Sequence, residues 1–139
     1  MVETSLDLQV DVSVFLCYSR GCSYVRAAMD PYQAMAGIAD STTCPGGQCV
    51  IDFPMVPAGK RLVITNVSAQ LGPVANQLVL EGNGVSFFVP KSDPNIEYLA
   101  SEVTVYFNAG ETPTARIFAP DPTQHTSLIV TLVGHLVSA

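Results

Sequence analysis

The chain has 139 residues, of which 48% are hydrophobic and only 13% are charged. This length suits one domain over residues 1–139, with a core large enough to fold without a metal or a disulfide. High hydrophobicity combined with low charge excludes a disordered chain. Six basic residues against twelve acidic ones give a net charge of −6, which argues against nucleic acid or an anionic membrane as partner.

The N-terminal segment carries no targeting pattern. No apolar run reaches the roughly 18 residues of a transmembrane helix, so we expect no membrane insertion. Residues 1–5 have neither a basic stretch nor a continuous apolar one, and are therefore not a signal peptide. Two interpretations stay open: the protein is cytosolic, or Met1 is an expression start that replaces a removed leader.

The four cysteines fall into two local pairs, Cys17 with Cys22 and Cys44 with Cys49. Each pair encloses a short glycine-containing segment, the composition of a tight turn whose ends can approach to the ~5.5 Å between Cα atoms that a disulfide needs. Four free thiols or a zinc site are the alternatives, although zinc sites usually contain a C-x-x-C knuckle. Two disulfides imply an oxidising compartment, so we expect a secreted or periplasmic protein.

The first predicted element is a long strand over residues 5–17. Apolar and polar residues alternate there with a period of two, which predicts one buried and one wet face. We expect the apolar face to lie against the core; the alternative is a strand that completes a sheet in a neighbouring subunit. The apolar positions are Leu6, Leu8, Val10, Val12, Val14 and Leu16.

A short helix is predicted near 31–38, with a structured loop as the alternative. Asp30 suits an N-cap, Pro31 the first helical position, and Gln33 lies three residues after the cap. Three larger apolar side chains then follow at helical spacing: Tyr32, Met35 and Ile38.

From residue 50 onward the sequence predicts only strands. Gly82-Asn83-Gly84 is typical of a hairpin turn, and this turn pairs Leu80 with Phe87, Leu78 with Val89 and Val79 with Phe88. Proline and glycine separate the remaining apolar runs. About eight short strands at regular spacing predict an all-β, two-sheet antiparallel sandwich of jelly-roll type.

Two segments, Phe53–Ile64 and Val130–Val137, resemble parts of uncharacterised secreted bacterial β-sandwich proteins. The resemblance covers residues 53–137 and leaves out the N-terminal strand and both cysteine pairs. It implies a β-sandwich fold and no activity.

No motif in the sequence predicts catalysis. Asp121, His125 and Ser127 lie close in the chain, but no nucleophile elbow surrounds the serine and residues two apart on an extended segment do not converge as a triad. Residues 93–97 carry alternate oxygen donors that would suit calcium, or else form an Asp-Pro-Asn turn. We therefore expect no enzyme, no cofactor and no metal; a hydrolase with a site assembled across loops is the less favoured alternative.

The last predicted strand, 127–137, is apolar on both faces. One row suffices for the core, and a chain with so few charges has little polar side chain to cover the other. We therefore predict a secreted, non-enzymatic structural or adhesive module that forms homo-oligomers through this second row, unless the 27–43 connection or a long loop covers it. The predicted interface residues are Ile129, Val133, His135 and Val137. The alternative is a carbohydrate-binding module whose candidate contacts are the loop tyrosines Tyr18, Tyr24, Tyr32 and Tyr98.

Overall fold

Nine strands form two antiparallel sheets in the described part of this computed structural model. The structure describes residues 10–18, 21–72, 77–82, 84–91, 93, 95–118 and 125–139, with side chains from residue 29 onward. Two 3₁₀ turns, Ser41–Thr43 and Pro45–Gly47, separate the second strand from the third. The strands are β1 Val10–Tyr18, β2 Gly21–Ile38, β3 Gln48–Asp52, β4 Lys60–Gln70, β5 Gln77–Gly82, β6 Val85–Pro90, β7 Tyr98–Asn108, β8 Thr114–Phe118 and β9 Leu128–Ser138.

The strand order is that of a jelly roll. One sheet has the order β1-β2-β9-β4-β7 and the other β3-β8-β5-β6. The pairs β2/β9, β3/β8, β4/β7 and β5/β6 are nested like one long hairpin with its tip at β5–β6, and successive pairs alternate between the two sheets. Eight strands in two sheets wound in this way form the jelly-roll architecture. The predicted all-β sandwich is confirmed.

The core lies between the sheets and follows the period of two along each strand. Leu128, Val130 and Leu132 of β9 are fully buried, and Leu62, Ile64 and Phe107 of the neighbouring strands pack in the same cluster. Each such side chain stabilises the fold by about 1.5–3 kcal/mol through removal from water. One of the two rows predicted for the last strand therefore does face the core.

The predicted β5–β6 hairpin is confirmed in its register. Leu80 is opposite Phe87, Leu78 opposite Val89, and Val79 opposite Phe88. Gly84 adopts a positive φ of 71°, as the turn requires; Asn83 lies outside the described residues.

The predicted helix near 31–38 is wrong, because these residues form the second half of β2. They pair with β9 from Pro31 opposite His135 to Ile38 opposite Leu128. The burial of this segment alternates with a period of two, with Tyr32 and Ile38 turned toward the core and Met35 exposed. Pairing with a central strand outweighed the capping pattern, since local propensity is a weak term beside tertiary contacts.

β2 continues well beyond the sandwich body. Its residues 21–29 pair with β1, and its residues 29–38 pair with β9, so the two partners overlap only at Met29. The β1–β2 hairpin therefore projects past the end of β9. The predicted N-terminal strand is observed from Val10 to Tyr18, while residues 5–9 lie outside the described part of the chain.

The backbone places β1 beside residues 21–29 of β2. The side chains of β1 lie outside those described, so the expected packing of its apolar face against the core stays a prediction.

Candidate functional site

The candidate interaction surface is the outer face of the five-stranded sheet, the face turned away from β3-β8-β5-β6. β9 lies at its centre, between β2 and β4. Ile129, Val133, His135 and Val137 all project on this face and all are half-buried. The structure thus brings the four predicted interface residues together on one row.

The apolar row continues sideways onto β2. Val137 is opposite Met29, and Thr131 is opposite Met35, whose side chain is 72% exposed. On the other side of β9 the face is polar: the Arg61 guanidinium donates to Asn108 Oδ1 at 3.2 Å, and Glu102 is exposed. The outer face therefore carries no charged side chain on its β9 row, while Arg61 and Glu102 bring charge onto its β4–β7 half.

The 27–43 connection does not cover this face. Its residues up to Ile38 form a strand beside β9 within the same sheet, and the two 3₁₀ turns then lead to β3 in the other sheet. The alternative that this connection shields the second row is excluded.

A β-bulge and a glycine shape the centre of the sheet. The register of β4 shifts between Ile64 and Asn66 on both sides. A side chain at Gly134 would collide with the Val63 carbonyl oxygen, so this close approach requires glycine. The bulge leaves Asn66 exposed on the outer face.

The candidate carbohydrate contacts do not form one site. None of them lies in a loop: Tyr18 ends β1, Tyr24 and Tyr32 are in β2, and Tyr98 begins β7. Tyr98 is 62% exposed on the outer face at the far edge of the sheet.

Tyr32 is turned toward the core. It lies opposite Gly134, its hydroxyl is buried without a hydrogen-bond partner, and burial raises the pKa of that hydroxyl. A ring in this position is not an open platform for a sugar. The tyrosines Tyr18 and Tyr24 are placed by their backbone alone.

An aromatic groove absent from the predicted site residues lies between the sheet edges β6 and β7. It has a volume of about 280 Å³ and is lined by Val85, Phe87, Thr104, Val105 and Tyr106. Tyr106 is 58% exposed while Phe107 is 1% exposed, so these neighbours do point to opposite faces. The paired aromatic residues in β6 and β7 were the signal for this groove.

Cys44 and Cys49 form a disulfide with a Cα–Cα distance of 5.0 Å, so this predicted bond is confirmed. Gly46 and Gly47 between them have positive φ values of 63° and 73°, which lets the chain reverse within the short loop. Cys17 and Cys22 are register partners in the β1–β2 hairpin. Their side chains lie outside those described, and the bond between them stays a prediction.

Of the three polar residues considered as a triad, the structure describes His125 and Ser127. The Ser127 carbonyl oxygen accepts from Gln70 Nε2 at 3.4 Å. His125 Nε2 lies 3.9 Å from Asp40 Oδ1, and Asp121 is outside the described residues. Asp40 caps the first 3₁₀ turn by accepting from the Thr42 backbone N–H at 2.9 Å and from its hydroxyl at 2.6 Å. These hydrogen bonds, and then the nearby His125, lower the pKa of Asp40.

Hydrogen bonds from Asn95 and Ile96 to Asp93 make a turn in the 93–97 segment. Asp93 Oδ1 accepts from the Asn95 backbone N–H at 2.9 Å, and the Ile96 N–H donates to the Asp93 carbonyl at 3.2 Å. Lys91 Nζ donates to the carbonyl oxygens of Gly72 and Ile96 at 3.0 Å. Within the described ranges, no three His, Cys, Asp or Glu side chains cluster as metal ligands would.

The fold and surface define a jelly-roll β-sandwich with an exposed outer sheet face. In the residues that the structure covers, no helix has the length and apolar composition needed to cross a membrane. No protein-family model and no curated protein matches the chain.

Among solved structures, the chain is similar to an exo-β-1,3-galactanase from Phanerochaete chrysosporium, crystallised with galactose. The identity is 14% and the TM-score 0.40, and the match covers 80% of this chain and 30% of the galactanase. The chain spans under a third of that enzyme's length, and a likeness at this level carries no functional argument.

Proposed function

We propose that the protein is a non-enzymatic structural module that assembles with copies of itself through the outer face of the five-stranded sheet. The observation that supports this proposal is the apolar row of β9, Ile129, Val133 and Val137, which continues onto the exposed Met35 of β2. A sandwich needs one apolar face per sheet, and this row is additional to the buried one. Contiguous exposed apolar surface is typical of sites that contact another protein.

The charge distribution of this surface favours contact between copies. Net charge is −6 for the whole chain, so two copies repel each other, and less strongly when the surfaces that meet carry no charge. The outer row of β9 contains no carboxylate, and the nearby Asp30 is paired with Lys60 at 3.3 Å. Among the described residues, the β9 row therefore presents a second copy with no like charge of its own.

We further propose a secreted or periplasmic location, which the Cys44–Cys49 disulfide supports. Disulfides persist in oxidising compartments and are rare in the cytosol.

Replacing both Val133 and Val137 with lysine tests the assembly. Two lysine charges on this row would have to leave water when the row packs against another subunit, which disfavours assembly. In a free subunit the same charges stay hydrated, so the fold is kept. We expect a lower molar mass by light scattering and a retained cooperative melt. The matched control is Val50→Lys, an exposed strand valine on the outer side of the other sheet, which should keep the mass of the wild type. An unchanged mass for the double variant would contradict the proposal.

A carbohydrate-binding module is the second candidate function, and the exposed Tyr106 and Phe87 beside the β6–β7 groove favour it. Aromatic rings that border an open groove can stack on sugar rings. A module of this kind would stay monomeric and gain thermal stability with ligand. Melts in the presence of soluble β-glucan and galactan oligosaccharides, with Tyr106→Ala as the control, separate it from the assembly proposal.

A further inference from the structure

His135 is a titratable side chain at the centre of the proposed contact face. It lies on the outer row of β9 between Val133 and Val137, and it is half-buried. Its register partners on the two flanking strands are Pro31 of β2 and Val63 of β4. Because register partners and alternate positions along a strand share a face, four side chains without charge surround the imidazole on this face.

The next positions around His135 on this face supply no negative charge. Three of the four diagonal positions on β2 and β4 are uncharged, namely Met29, Gln33 and Asn66. The fourth is Arg61 of β4, whose positive charge disfavours a second positive charge beside it. Among its described neighbours in the sheet, the imidazole therefore has none that would neutralise its charged form.

The other titratable groups in the described part of this region lie farther away or on the other face. Glu102 and Tyr106 are on β7, two strands from β9, or roughly 10 Å across the sheet. A tyrosine hydroxyl is uncharged at neutral and acidic pH. Asp30 is opposite Leu136, which packs against the core, so the carboxylate projects on the core side. There it pairs with Lys60 at 3.3 Å.

We infer that His135 makes the assembly of copies sensitive to pH: the face contact holds while the imidazole is neutral and opens when it takes up a proton. This inference rests on the face contact proposed above and adds its regulation. Histidine is the side chain that ordinarily changes charge between pH 5 and 8. A charge enclosed in a contact that excludes water costs free energy unless a partner neutralises it.

The direction of the pH effect follows from proton linkage. An assembly that requires a neutral imidazole releases protons, so it is weakened as pH falls, by up to about tenfold per pH unit for each copy. The carboxylates of the chain act in the opposite direction, because an acidic protein repels its copies less as it approaches its isoelectric point of about 4.5. Dissociation on acidification therefore distinguishes His135 from a general effect of net charge.

Light scattering at about pH 8 and about pH 5.5, at one ionic strength, tests the inference. We expect the wild type to lose mass at the lower pH and His135→Gln to keep it, because glutamine does not titrate. His125→Gln is the matched control, since the His125 side chain is 67% exposed beside Asp40 and outside the β9 row. This control should lose mass as the wild type does. Cooperative melts at both pH values check that the subunits stay folded.

The outcomes separate this inference from the proposed function. A wild type that keeps an oligomeric mass at the lower pH would overturn the inference and leave the face contact standing. Loss of mass by His135→Gln equal to that of the wild type, or its absence in His125→Gln, would also overturn it, because another group then controls the contact. A wild type with the mass of one chain at both pH values defeats the face contact and this inference together.

Nuclear magnetic resonance of the wild type gives an independent measurement that needs no variant. The two histidines of the chain give two imidazole signals. The signal of His135 should titrate at a lower pH in concentrated protein than in dilute protein, while that of His125 titrates at the same pH in both. Titration of both signals without any dependence on concentration, in a protein that assembles, would contradict the inference.

Discussion

Asp40 holds the chain where it leaves β2. Its carboxylate accepts two hydrogen bonds from Thr42 and stands 3.9 Å from His125, and these groups favour its charged form. The pKa of Asp40 is therefore lower in the folded protein than in the unfolded chain. A carboxyl group with a lowered folded pKa stabilises the protein above its unfolded pKa and loses this effect as pH falls.

Asp40→Ala should lower the melting temperature slightly at neutral pH. The difference in melting temperature between the variant and the wild type should begin to shrink as pH falls below about 4, the ordinary pKa of aspartate. It should continue to shrink as pH passes through the lower pKa that Asp40 has in the folded protein. Thermal melts of both proteins from neutral to acidic pH measure this. Asp40→Asn is the control, because it keeps an acceptor oxygen but cannot titrate. A difference that stays constant down to low pH would show that the charge has no part in the cap.

At the level of single residues, the sequence predicted which neighbouring side chains lie on opposite faces of a strand. It was less successful in predicting which of them are exposed to a ligand. Tyr106 and Phe107 lie on opposite faces, as adjacent strand residues must. Tyr32 looked like an exposed aromatic, but the small residue opposite it, Gly134, leaves space on the core side. Such a pairing joins residues a hundred positions apart, and no local pattern reveals it.

The β1–β2 hairpin makes its described pairing outside the strands of the jelly roll. β1 pairs with residues 21–29 of β2, and these residues lie beyond the end of β9. We therefore expect the sandwich body to fold without β1.

A chain that begins at Met29 should keep a cooperative thermal melt. All eight strands of the jelly roll retain their pairing partners, and the core cluster from Cys49 to Leu132 is untouched. Circular dichroism and calorimetry of the truncated protein check this. A Leu62→Ala variant of the full chain is the contrasting control, because removal of a fully buried leucine costs about 2–5 kcal/mol. Loss of the cooperative transition on truncation would mean that the hairpin belongs to the core.

The two cysteine pairs give a second prediction at this scale. Cys17 and Cys22 face each other across the β1–β2 turn, so we expect them to be bonded as Cys44 and Cys49 are. Peptide mapping without reduction should recover both local pairs. Removal of either bond should cost less than the ~3 kcal/mol of a 15-residue loop, since both loops are shorter. Alkylatable thiols at Cys17 and Cys22 in unreduced protein would contradict the pairing.

The elements after residue 50 were predictable because their signals are local. The sequence Gly82-Asn83-Gly84 predicts the β5–β6 turn, and the register that this turn implies is the one observed between the two strands. The segment 31–38 was not predictable, because its capping residues indicate a helix while its partner β9 lies about a hundred residues away. Element type there was decided by a contact that the local sequence does not contain.

At the scale of the whole molecule, the number and spacing of the strands predicted the fold class. They did not predict which face of the five-stranded sheet is exposed to water. The second apolar row of β9 was visible in the sequence, and the structure adds that no described segment of the 27–43 connection covers it.

The molar mass of the wild-type protein, measured by light scattering at micromolar concentration and on dilution, tests self-assembly most directly. An interface that buries on the order of 1,600 Å² should survive such dilution. We predict a mass of at least twice the 14.7 kDa of one chain, without any added ligand. A mass of one chain at every concentration would contradict the account and favour the carbohydrate-binding alternative.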